Sequence, residues 1–220
     1  LANKDWRIDD APPVTRPRPG HADLAGSLKW LTTDCRETLE RASARETAAR
    51  VAAGAVCRSL LTPFGIRCVG FVTRIGPVKA EVGSDLAPDE LLAARDANEV
   101  FTPDPRAVEP MIAVIRKAKE EKDTIGGVVE VRVFGCPPGL GSCFRYQDKL
   151  DGRLMQAVGS IQAFKGVEIG LGFAAAALPG SSVHDEIGYD PARRDRPSLG
   201  FTRRSNNAGG LEGGMTNGQV

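Results

Sequence analysis

Residues 40–55, Glu-Arg-Ala-Ser-Ala-Arg-Glu-Thr-Ala-Ala-Arg-Val-Ala-Ala-Gly-Ala, concentrate cations where a helix should begin. Ser43 and Glu46 stand three apart as in a capping box, which predicts Ser43 as N-cap and Ala44 as the first helical residue. The first turn of a helix carries unpaired N–H groups and a partial positive charge. Arg41, just before the cap, and Arg45, just inside it, sit against that charge, a cost that an anion bound at the helix mouth would offset. The alternative is that both arginines are solvated, or paired with Glu40 and Glu46. Arg50 diverges from Arg45 by roughly 140° around the helix, so the two reach one ligand only if the site wraps around the first two turns.

A second constellation precedes this one. Arg16-Pro17-Arg18-Pro19-Gly20-His21-Ala22-Asp23 is a stiff, proline-set arm that ends in a glycine turn beside one of only two histidines. An imidazole there can give or take a proton near neutrality, and Asp23 could set its tautomer. A histidine in a loop can also be purely structural.

The chain must supply elements that hold these groups. Its 220 residues and 41% hydrophobic content suffice for one domain or two small ones. Lys+Arg total 29 against 28 for Asp+Glu, so no nucleic acid or membrane surface is implied. Arg outnumbers Lys 21 to 8, which suits capture of phosphate and carboxylate, although a genome rich in G and C gives the same bias. Five cysteines without a Cys-x-x-Cys pair predict reduced thiols in a cytoplasmic protein and argue against a zinc ribbon or a disulfide framework. His184-Asp185-Glu186 has no second histidine or cysteine at ligand spacing, so no metal is expected. No run approaches the ~18 apolar residues of a membrane span.

Helical signals run from Ser43 to about Leu61, where Pro63 and Gly65 stop them, and the Ala-rich composition with Gly54 suits a central buried helix. Residues 66–75 read as a strand, 88–97 as a short helix, and 107–121 as an amphipathic helix with a solvated charged face. In 126–134, Val129, Val131 and Val133 alternate with Glu130 and Arg132, which predicts a strand with its valines buried and its charges wet. Residues 149–161 fit a helix and 165–169 a short strand. The Gly-x-Gly at 170–172 lacks the rest of a dinucleotide fingerprint. Residues 188–205, with five arginines, read as a mobile loop, solvated in preference to an anion gate. Residues 205–218 hold five glycines, so backbone there must approach another backbone or a ligand closely.

At this point the wording of the sequence becomes specific. Arg-Pro-Gly-His-Ala-Asp at 18–23, the arginine-rich run at 41–55, Lys-Gly-Val-Glu-Ile-Gly at 165–170, His-Asp-Glu at 184–186 and Asn-Asn-Ala-Gly-Gly-Leu-Glu-Gly-Gly-Met-Thr-Asn-Gly at 206–218 resemble the chorismate synthases, in the same order. The resemblance implies an α+β fold, a sandwich of antiparallel sheets around central helices, in a single domain spanning residues 1–220 and incomplete at both ends. It implies an FMN-dependent lyase that eliminates phosphate from 5-enolpyruvylshikimate 3-phosphate to give chorismate, assembles as a homotetramer, and in some family members reduces its flavin with NADPH.

Residue by residue, the resemblance implies that His21 is the catalytic histidine beside the flavin. It makes Arg18, Arg45 and Arg50 ligands of the substrate's phosphate and carboxylates, and Arg41, Ala42, Ser43, Gln162, Ala163 and Gly213 contacts of FMN. The family's Gly-x-Ser-His-Gly opening and its Lys-Pro stretch have no match here, so the 220 residues alone are expected to be inactive. A catalytically silent truncated paralogue, acting as a flavin-binding or assembly module, is the alternative.

Overall fold

The computed structural model describes residues 10–39, 41–42 and 44–220. The chain divides into two compact units, one of residues up to Cys57 with Ala157–Val167, the other of Arg58–Gln156 with Glu168–Val220.

In the first unit, α1 (Asp23–Trp30) and α2 (Arg36–Leu39) pack closely. Gly26 makes this approach possible, because a Cβ there would collide with the Thr38 side chain. The arm before α1 is fastened by Cys35 N–H donating to Val14 O at 2.8 Å and Val14 N–H to Asp34 Oδ1 at 2.8 Å. Arg36 Nη2 donates to Pro12 O at 2.8 Å. These bonds fix the polypeptide that leads into His21 where prolines supply no N–H of their own.

The long helix α3 (Ala44–Leu61) ends where the sequence requires, in a short 3₁₀ turn closed by Gly65 at φ 72°. Its expected burial is not found: residues 51–60 are all exposed, Val51 and Val56 at 72%. Alanine and glycine permit close packing on every side of a helix without compelling it.

The second unit is built on a three-stranded antiparallel sheet, order β2 (Val78–Lys79), β1 (Arg67–Ile75), β3 (Gly127–Phe134). Helices α4 (Pro88–Asp96) and α5 (Pro105–Glu120) contact it. Val69 and Phe71 of β1 bury against Leu91 of α4, while Ala107, Met111 and Ile112 of α5 bury with Ala80 and Val100.

The face expected for β3 is reversed. Val129 and Val131 are 49% and 59% exposed, whereas the Arg132 side chain is 12% exposed. Arg132 lies across the Phe71 ring with its Cζ 5.2 Å from the centroid. It donates to Glu130 Oε1 at 2.6 Å and to Gly83 O at 2.5 Å. An aromatic partner and a paired carboxylate let a guanidinium cover a core that valines were expected to fill.

The remainder of this unit comprises α6 (Leu150–Gly159), which passes into the first unit, α7 (Gly180–Val183), and two hairpins, β4 (Ile187–Tyr189) with β5 (Phe201–Arg203) and β6 (Leu211–Glu212) with β7 (Met215–Thr216). Residues 165–169 form no strand, having no ladder partner among the described residues. The 188–205 segment is not a plain loop: Tyr189 and Phe201 meet edge to face at 5.5 Å across β4 and β5. Helices with antiparallel sheets make this the α+β class that the sequence implies.

Candidate functional site

The proline-set arm delivers His21 to a buried carboxylate. Asp23, the first residue of α1, has no exposed surface. It accepts from the Arg18 backbone N–H at 3.0 Å and Nε at 2.9 Å through Oδ2, and from Arg18 Nη2 at 3.1 Å through Oδ1. His21 Nδ1 bonds to Asp23 Oδ1. A carboxylate only accepts, so Nδ1 carries the proton and Nε2 of the neutral ring keeps its lone pair. The Arg18 guanidinium holds the Asp23 carboxyl well below the usual range, against burial, with His21 adding to the effect. The His21 side chain is 25% exposed, so it is reachable while held. Arg18 Nη2 lies 3.2 Å from His21 Nε2, which places a guanidinium, a ring nitrogen and a buried anion in one cluster.

The second cluster joins α3 to the turn after α6. Arg50 Nε donates to Glu46 at 2.6 and 2.8 Å, one helical turn back. Arg50 Nη1 donates to Ser160 Oγ at 2.9 Å and Ala157 O at 3.4 Å, and Nη2 to Ser160 O at 3.2 Å. Gln162 Nε2 donates to Glu46 Oε2 at 2.6 Å. Gln162 and Arg50 together hold the Glu46 carboxyl below its usual range. Two features of this turn are costly. Gln162 Oε1 is buried without a partner among the described residues, and Ala163 has φ 67°, a left-handed conformation that costs a non-glycine residue about 1–2 kcal/mol. A strained residue beside an unpartnered buried acceptor makes this turn a candidate ligand contact.

Of the helix-mouth residues, Arg41 is exposed, and it and Ala42 donate their N–H groups to Thr38 O at 3.1 Å. Ser43 and Glu40 lie outside the described residues, as does the side chain of Arg45, so the capping box falls there too. The divergence of Arg45 and Arg50 has a consequence on the Arg50 side: all three nitrogens of its guanidinium are engaged by Glu46, Ser160 and Ala157.

The glycine-rich stretch belongs to the other unit and is held by carboxylates. Asp185 accepts from Ser205 Oγ at 2.5 Å, Asn207 N–H at 2.8 Å and Ala208 N–H at 2.9 Å. Burial pushes its carboxyl up, but these donors outweigh it and leave the group below the usual range. Glu212 accepts from Arg203 twice at 2.7 Å. Gly213 follows at φ 59°, and a Cβ there would meet nothing within 4 Å. Gly213→Ala should therefore cost only the left-handed penalty, about 1–2 kcal/mol in denaturant unfolding, and Gly213→Asn less. A loss beyond about 3 kcal/mol would mean that the position is sterically filled.

A cavity of about 410 Å³ opens beside this stretch, lined among others by Ile169, Leu171, Val183, Asp185 and Asn207. It contains none of the residues expected at the flavin. His184 lies on its wall, but among the described residues no group of three or more His, Cys, Asp or Glu could hold a metal.

The residues present fit a flavin nucleotide on chemical grounds. Gln162 Oε1 offers an acceptor to a ring N–H or a ribityl hydroxyl, and Arg41 offers a cation to a phosphate. Sequence reasoning missed the weight of Glu46, Ser160 and Asp185. The spacing of Glu46 and Arg50 was a usable signal, whereas Gln162 lies 116 residues from its carboxylate.

Known proteins share this chain's pattern. A family model described as "Chorismate synthase" matches residues 1–220. The chorismate synthase of Desulforamulus reducens is 52% identical over 231 residues, covering 100% of this chain and 58% of that protein. That of Symbiobacterium thermophilum is 56% identical over 204 residues, covering 93% and 51%. A solved structure, "Crystal Structure of Chorismate Synthase", superimposes with a TM-score of 0.81 at 47% identity over 90% of this chain and 60% of that one. The chain thus spans between half and three fifths of the length of these relatives.

Proposed function

The chain belongs to the chorismate synthase family, and we propose that it serves the elimination of phosphate from 5-enolpyruvylshikimate 3-phosphate to give chorismate. The observation that carries the reading to particular atoms is the buried Asp23, which fixes His21 and Arg18 together. Reduced FMN, when bound, supplies electron density to the substrate and a site for its proton. His21, with Nδ1 on Asp23, holds or moves a proton at Nε2. Arg18 and Arg45 bind the phosphate and carboxylates of the substrate; the elimination releases the phosphate with loss of a C–H proton, and the carboxylates pass unchanged into the product. Arg41, Ala42, Ser43, Gln162, Ala163 and Gly213 hold the flavin, and Arg50 stands behind Gln162 through Glu46 and Ser160.

A cytoplasmic homotetramer is part of the same proposal, and exposed Val51, Val56 and Leu60 on α3 support burial in something larger than the described chain. No described helix is long and apolar enough to cross a membrane.

The test is FMN titrated into the protein expressed from its complete reading frame, followed by visible difference spectroscopy with and without 5-enolpyruvylshikimate 3-phosphate. A substrate-dependent shift and chorismate formation with reduced FMN are expected. A shift without chorismate would make the protein a flavin-binding module, and no shift would remove the flavin from the reading.

A further inference from the structure

Glu46 is the residue on which the second cluster converges, and none of the roles described so far belongs to it. Its two carboxylate oxygens take Arg50 Nε at 2.6 and 2.8 Å and Gln162 Nε2 at 2.6 Å. Arg50 is anchored in turn by Ser160 and Ala157, so the carboxylate is braced from α3 and from the turn it serves. Only the amide nitrogen of Gln162 can face an acceptor-only group. That contact decides which way the amide points. Its oxygen is left facing away from Glu46, buried and without a partner among the described residues, next to the left-handed Ala163.

We propose that Glu46 is a positioning residue: it locks the Gln162 amide so that Oε1 presents a hydrogen-bond acceptor to a donor of the flavin, an N–H of the ring or a hydroxyl of the ribityl chain. The proposal rests on the chorismate synthase reading above. A donor that reaches Oε1 becomes buried with it, so the bond forms away from competing water. Arg50 serves this arrangement by keeping the Glu46 carboxylate aimed.

Glu46→Gln preserves shape but places an amide where two donors converge. Its own N–H groups then need an acceptor, which Gln162 provides by rotating its amide through 180°. The flavin donor would then meet a second donor. In the complete-frame protein, FMN affinity measured by difference titration should fall about tenfold, the equivalent of about 1.4 kcal/mol. Combining Glu46→Gln with Gln162→Glu restores the pattern, since the carboxylate introduced at position 162 accepts from the amide at position 46 with one oxygen and offers the other outward. The double variant should recover FMN affinity to within about threefold of the parent, a rescue that a merely structural clamp would not give.

Unchanged FMN affinity in Glu46→Gln, even with a lowered unfolding temperature, would reduce Glu46 to a clamp and overturn the proposal. Failure of the double variant to recover would overturn it as well, because amide orientation would then not be what matters. An unmodified protein that gives no FMN difference spectrum would instead overturn the flavin reading itself.

Discussion

In the protein expressed from its complete reading frame, replacing Asp23 by Asn is expected to lower turnover on the order of 10²-fold or more and to destabilise the first unit at neutral pH. Both effects come from one exchange of an oxygen for an N–H₂ group. Asp23 has no exposed surface and accepts from the Arg18 backbone, its Nε and Nη2, and His21 Nδ1. An asparagine keeps one acceptor and turns a donor either toward the Arg18 backbone N–H and Nε or toward His21 together with Arg18 Nη2. If it faces His21, the ring must move its proton to Nε2, and the nitrogen left for chemistry changes character. If it faces the Arg18 N–H and Nε, a hydrogen bond to a half-exposed guanidinium is lost, at up to about 1.5 kcal/mol once solvent screening is allowed for.

The pH dependence separates this account from a packing defect. Arg18, with His21 in support, depresses the Asp23 carboxyl in the folded state, so the unfolded chain binds the proton at a higher pH than the folded one. The stabilisation is complete above the ordinary carboxylate range, near pH 4, and is lost as pH falls below it toward the folded value. Unfolding midpoints of parent and Asp23→Asn should therefore differ most at neutral pH and converge below about pH 4. A gap that stays constant into acid would mean that the charge of Asp23 is not what stabilises the unit.

Much of the scaffold was legible because periodicity reports which residues share a face. Residues 66–75 and 126–134 became β1 and β3 within one residue, and α5 began two residues before its expected start. Periodicity does not report which face finds cover. Val129 and Val131 of β3 therefore came out exposed, with Val133 half-buried, and Arg132 took the inner side because Phe71 and Glu130 were there to receive it. Residues 165–169 failed as a strand for a related reason: a strand exists only with a partner, and the sequence cannot show that none lies beside it among the described residues. At the site, His21 and Asp23 are two residues apart and could be paired on paper, and Glu46 with Arg50 by helical spacing. Gln162 could not, since its partnership with Glu46 is made by the return of the chain after α6 and leaves no local trace.

In the protein expressed from its complete reading frame, His21→Ala is expected to lower turnover on the order of 10²-fold, the loss typical of a positioned proton-transfer group, while FMN remains bound. The fold should tolerate it. Removing the ring takes one bond from Asp23, but the three from Arg18 remain, so the buried carboxylate keeps its counter-charge. Unlike Asp23→Asn, the change therefore removes the proposed proton carrier without disturbing what holds Arg18. Turnover of 5-enolpyruvylshikimate 3-phosphate with reduced FMN, measured beside the FMN titration on the same preparation, distinguishes the outcomes. Lost turnover with retained flavin assigns the proton to His21, and lost flavin would make it a binding residue. Turnover equal to the parent would take His21 out of the mechanism and leave Asp23 as an anchor for Arg18 alone.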